Sequence, residues 1–232
     1  MATSKNNSDV CPGIFPGIFP GIFPDVNVQN VVSNLEKHGV CQGINLPANI
    51  VEEIWKFANS KPCYGNKLHQ VGFHYSQHKE AQKKYGGKLL TGKYYNTTLE
   101  CLAIQKIASD PILLEIAAKY LRTKPVHISN CLWWSFPSNA NFFEQSKAAQ
   151  VFHCDLDDYK FIKFFFYIND VSVESGPHIY IRGSHKKKEI YLSTIARESN
   201  RARFNSILRS RKFSHNLRPI WMGICGRYFW LS

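Results

Sequence analysis

The chain has 232 residues, 44% of them hydrophobic, and carries 29 Lys and Arg against 17 Asp and Glu, a formal net charge of +12. That length and apolar content allow one domain with a sizeable core and helical additions, and nothing in the composition marks a second independent domain. Seven cysteines, odd in number and without a C-x-x-C spacing, argue against a disulfide framework or zinc ribbon and favour a reducing compartment. There is no run of eighteen apolar residues and no basic n-region followed by an apolar h-region, so the expectation is a cytoplasmic protein without a membrane span.

Residues 12–24 read PGIFPGIFPGIFP, a four-residue unit three times over. Proline at every fourth position removes amide donors and clashes with a preceding helical turn, so this stretch is extended and punctuated by turns. Two readings stand: a docking peptide that presents Phe15, Phe19 and Phe23, or a tract produced by repeat expansion and packed loosely on the body. Residues 1–26 are therefore assigned as a repeat-bearing tail, 27–188 as the main domain and 189–232 as a basic, atypical C-terminal segment.

From Asn27 the pattern turns helical: Val28, Val31, Val32 and Leu35 recur at helical spacing, with Gly39 as the C-terminal cap. A second helix starts after Pro47, with Ile50, Ile54 and Phe57 on one face. The segment 61–97 is rich in Gly, Lys and Tyr and has no clear period. His69, His74 and His78 lie in it without a carboxylate at ligand spacing, which favours exposed or hydrogen-bonded histidines. A further helix is expected over about 98–109, and another opened by Asp110 and Pro111, with Leu113, Ile116, Ala117 and Tyr120 as its apolar stripe. Residues 126–136 read as a buried strand with Trp133 and Trp134 on opposite faces.

In 160–171 (KFIKFFFYINDV), Phe161, Lys163, Phe165 and Tyr167 share one face, and Ile162, Phe164, Phe166 and Ile168 the other. A strand apolar on both faces belongs between two covering layers. Lys163 then points either at an anion, such as a substrate or cosubstrate carboxylate, or at an open mouth where it reaches water. Arg182 is a weaker candidate for the same role. Just upstream, His153 and Asp155 stand two apart, so in an extended chain an imidazole and a carboxylate face the same way. With a second His from elsewhere they form the facial set that holds non-haem Fe(II) and leaves open positions for a cosubstrate and O2.

The text LWWSFP at 132–137, AAQVFHCDLDD at 148–158, KFIKFFFYINDV at 160–171 and SGPHIYIRGSHKK at 175–187 resembles the phytanoyl-CoA dioxygenase family of Fe(II)- and 2-oxoglutarate-dependent oxygenases. The resemblance implies a mainly β double-stranded β-helix (a jelly roll) with flanking N-terminal helices. It also implies iron bound by His153 and Asp155, with 2-oxoglutarate and O2 as cosubstrates of a small organic substrate. Lys163 and Gln150 are the candidate cosubstrate contacts. The turns at 175–177 and at Gly183 and Ser184 shape strand connections.

The family pattern places a distal His, and then an Arg, near the end of the barrel. His178, His185 and His215 are the candidates for the third ligand, and 189–232 matches no closing strands. The expectation is a chain truncated or altered relative to a full enzyme. Of the formal +12, +9 lies after His185, where eleven Lys and Arg face Glu189 and Glu198. Arg197, Arg201, Arg203, Arg209, Arg211, Lys212 and Arg218 make polyanion binding a competing function, without any nucleic-acid motif beside them. A catalytically inactive remnant is the other alternative.

Overall fold

The computed structural model describes residues 19–66, 68–148, 150, 155, 160–172, 177, 178, 180 and 182–186. Helix accounts for 42% of these and strand for 7%, so the fold is helical with one small sheet and not the mainly β jelly roll expected from the resemblance.

Seven helices occur among the described residues: α1 (Val28–His38), α2 (Ala48–Ser60), α3 (His78–Lys84), α4 (Thr97–Glu100), α5 (Leu102–Ala108), α6 (Pro111–Leu121) and α7 (Phe142–Lys147). The best-determined ends follow from local chemistry. Asn27 caps α1 by accepting from the Asn30 amide, and Gly39, at φ 73°, closes it by donating to the Leu35 carbonyl. Asp110 caps α6 with one carboxylate oxygen on the Ile112 and Leu113 amides, and Pro111 takes the first helical position. The helix expected over about 98–109 is two helices, broken at Cys101, whose backbone is extended (φ −122°, ψ 107°).

Four short strands, β1 (Cys63–Gly65), β2 (Gly72–Phe73), β3 (Thr91–Lys93) and β4 (Trp133–Ser135), form an antiparallel sheet in the order β2-β1-β3-β4. Three of them lie in 61–97, where no period was legible, because strands of two or three residues are too short to show alternation. The expected strand 126–136 is shorter than predicted: Val126 and Ile128 are exposed, and pairing begins only at Trp133. Trp134 is buried and Trp133 half-buried.

Helices α1 and α6 pack together, as do α2 and α5. Leu35, Ile50, Ile54, Ile104, Ile107, Leu113 and Ile116 are almost completely buried in the resulting core, together with Phe164. The sheet joins this layer through an aromatic contact and a hydrogen-bond relay. Trp134 sits edge-on to Trp55 of α2 at 5.4 Å. Its indole N–H donates to the Tyr94 hydroxyl at 2.8 Å, which in turn donates to the Ala58 carbonyl at 2.6 Å.

Residues 160–168 hold no regular secondary structure and pair with no strand among the described residues. The reading that both faces are covered stands: Phe161, Ile162, Phe164, Phe166 and Ile168 are all buried. The cover, however, comes from helix and tail. Phe166 stacks on Phe23 at 5.7 Å, and the Lys160 ammonium donates to the Tyr120 carbonyl at the end of α6 while lying 5.0 Å over its ring. Apolar alternation reports that a segment is enclosed, and a helix encloses as well as a second sheet does. This is why the jelly-roll expectation fails.

Cys41, Cys63, Cys101 and Cys131 are buried free thiols. Burial pushes the Cys63 thiol from 9.0 up to about 11 and the neighbouring Tyr94 phenol upward as well. Both groups are neutral in the folded chain, so the unfolded chain loses these protons first as pH rises. Stability is therefore full below about pH 9 and falls through about pH 11. Urea midpoints measured across that window should decline, and Cys63→Ala should flatten the decline near its lower edge. An unchanged slope in the variant would remove Cys63 as its source.

Candidate functional site

Asp155 is the one residue of 151–159 that the structure describes; His153 lies outside the described residues. Its carboxylate meets Lys163. The Lys163 ammonium donates to Asp155 Oδ2 at 2.5 Å, with 8% of the lysine side chain and 25% of the aspartate side chain exposed. The same ammonium lies 5.6 Å from the centre of the Phe161 ring. The anion that the buried lysine required is thus in large part supplied by the chain itself, eight residues upstream. An ammonium beside an aromatic face and a carboxylate is stabilised by both, and burial strengthens each attraction.

The other candidates go elsewhere. Gln150 donates its side-chain amide to the Leu90 carbonyl at 3.2 Å, tying the approach to the site to the residue before β3. His178 stacks on Phe165 at 4.7 Å, and its backbone amide donates to the Tyr167 hydroxyl at 2.7 Å. His185 lies on α1: its Nε2 is 3.3 Å from the Glu36 carbonyl, and the Gly183 amide donates to the His38 carbonyl at 2.7 Å. Burial pushes the His185 imidazole below its ordinary value, which suits a neutral ring in an intramolecular contact. His215, all seven basic residues of the polyanion reading, and the expected truncation or alteration after 188 fall outside the described residues.

The donor chemistry can be set against Fe(II). A divalent cation asks for an anionic oxygen, and Asp155 Oδ2 already holds a cation in the form of the Lys163 ammonium. Among the described residues no group of three or more His, Cys, Asp or Glu could hold a metal ion. Asp155 Oδ2 is thus engaged by Lys163, and the other expected donor, His153, lies outside the described residues.

Within 61–97 the histidines pack on rings. His69 stacks on Tyr95 at 4.5 Å, and His78 stacks on Tyr75 and Phe136 at 5.1 and 5.7 Å. A cleft of about 220 Å³ opens beside Tyr95, lined by Phe57, Lys61, Tyr64, Tyr94, Tyr95 and Glu100, with Lys61 and Glu100 paired at 2.7 Å. The sequence singles out none of these residues as a site. The one signal for them is the density of tyrosines.

The described residues thus define an α+β protein with a helical layer on a small antiparallel sheet and a buried lysine, Lys163, paired with the half-buried Asp155. Comparison with protein-family models, curated proteins and solved structures gave no match to this chain. No helix among the described residues is long and apolar enough to cross a membrane.

Proposed function

We propose that the chain is an Fe(II)- and 2-oxoglutarate-dependent oxygenase of the phytanoyl-CoA dioxygenase type, using O2 on a small organic substrate with release of succinate and CO2. The observation that carries this reading is the meeting of Asp155 and Lys163. Asp155 is the metal ligand that the resemblance implies, and Lys163 is on one of its two readings the anchor of a carboxylate; the two side chains meet. The sixty-residue resemblance supplies the reaction class. The jelly roll is no part of the reading.

Iron held by His153, Asp155 and a third His would supply O2 activation and substrate oxidation. The chain's own contribution is placement. Asp155 is held in one orientation by the ammonium, Lys163 offers its charge to the far carboxylate of 2-oxoglutarate, and Phe161 together with the buried residues after it excludes water.

A second reading is favoured by the same contact. While Lys163 occupies Asp155 Oδ2, that oxygen is engaged, as it would be in a catalytically inactive chain that retains the segment as a buried ion pair. Anaerobic titration with Fe(II) and then 2-oxoglutarate, following the visible charge-transfer band of the chelate, separates the two. A saturating band that disappears in His153→Ala is the expected result. Lys163→Met should keep Fe(II) binding and weaken the 2-oxoglutarate step. No band in folded protein would establish the inactive reading.

A further inference from the structure

The third unit of the tail, Pro20 to Phe23, is docked on the body through Ile22 and Phe23, while Pro20, Gly21 and Pro24 are exposed. A Cβ on Gly21 would come within 3.3 Å of Pro111 Cγ, a tight contact that the proline ring would have to yield to by a few tenths of an ångström. The Ile22 amide donates to Asp110 Oδ2 at 2.6 Å, while its side chain packs partly buried against the core. Phe23 is 3% exposed and stacks nearly parallel, at 9°, on Phe166. Asp110 is itself 1% exposed, so this is a built acceptor and no chance surface contact.

A seat that crowds a side chain at its first position, binds the next amide and then stacks an aromatic ring suits Gly-Ile-Phe. The chain carries that text at Gly13 to Phe15 and at Gly17 to Phe19 as well. We propose that the seat formed by Asp110, Pro111 and Phe166 is a recognition site for the Gly-Ile-Phe-Pro unit, and that the three units of the chain's own tail exchange in it.

Moving Phe19 into the seat lengthens the connection to α1 by four residues. Doubling a short flexible connection costs a factor of about three in population. That is small beside the loss of the Phe23 stack and the Ile22 hydrogen bond, both of which the second unit can remake. Engaging the tail of another molecule would instead forfeit the high local concentration that tethering provides. The occupant is therefore the same chain. The tail is a sliding strap with three buckles, and its anchored register sets the length of the connection to α1.

The test compares unfolding midpoints of the full chain. Phe23→Ala alone is expected to lower the midpoint by less than half the drop caused by the set Phe15→Ala, Phe19→Ala and Phe23→Ala. Phe15→Ala with Phe19→Ala should leave it unchanged. Equal drops for the single and triple substitutions would overturn the exchange. A Phe23→Ala midpoint that rises with protein concentration would also overturn it, in favour of a second copy's tail as the occupant.

Where the triple alanine chain does not fold, the corresponding leucine set keeps apolar bulk and removes only the ring stack. A labelled Gly-Ile-Phe-Pro-Gly-Ile-Phe-Pro peptide should then bind the triple variant saturably, and its alanine analogue should not. Failure of that binding would overturn the recognition site itself.

Discussion

Asp155→Ala is expected to lower stability by about 3 to 5 kcal/mol, because it takes the carboxylate away from an ammonium whose side chain is only 8% exposed. The converse substitution should be milder. Lys163→Met leaves a carboxylate that is 25% exposed, which water can partly solvate, and it replaces the lysine stem with apolar atoms that suit the buried segment. A loss of about 1 to 2 kcal/mol is expected there, set by the hydrogen bond and the remaining desolvation. Combining Asp155→Leu with Lys163→Met should recover most of the Asp155→Ala deficit, since a buried pair exchanged for apolar residues of similar volume is often neutral. Urea unfolding of the four proteins measures this. Equal losses for the two single substitutions would mean that the difference in exposure does not govern the pair.

Asp110→Ala should cost about 3 kcal/mol, since one side chain serves two elements: loss of a helix cap is worth about 1 to 2 kcal/mol, and a donor left without its acceptor costs about 1 to 3. One oxygen satisfies the Ile112 and Leu113 amides at 2.9 and 3.0 Å, and the other takes the Ile22 amide at 2.6 Å. Asparagine distinguishes the two roles. Asp110→Asn retains a capping oxygen but turns an amide toward the Ile22 N–H, so it should keep α6 and loosen the tail, at a cost of about 1 kcal/mol. If Asn and Ala variants unfold at the same urea concentration, the tail bond carries the effect and the cap does not.

The sequence showed the parts whose causes are local. The start of α1 at Asn27 and its stop at Gly39, the start of α2 after Pro47 and the opening of α6 at Asp110 and Pro111 were all legible because capping and propensity act within one turn. The break at Cys101 was not, since no Gly or Pro lies between Thr97 and Asp110 to mark it. In the candidate site, the sequence marks Lys163 as a charge that meets either an anion or water, and Asp155 as a carboxylate facing the same way as His153. That each is the other's partner could not be read from either alone. Phe23 was legible only as one of three equal aromatic residues, and nothing in the repeat says which of them docks.

The amino-acid order alone therefore settled where α1, α2 and α6 begin or end and that 160–168 is enclosed on both faces, and it left the charge inside that segment between an anion and open water. Tertiary structure decided what encloses that segment, which carboxylate answers the charge, and how strands as short as β1, β2 and β3 find one another. The physical reason is range. A cap or a proline acts on amides a few atoms away, whereas the partner of a strand, a stacked ring or a buried ammonium is chosen by residues far along the chain, once the whole core has closed.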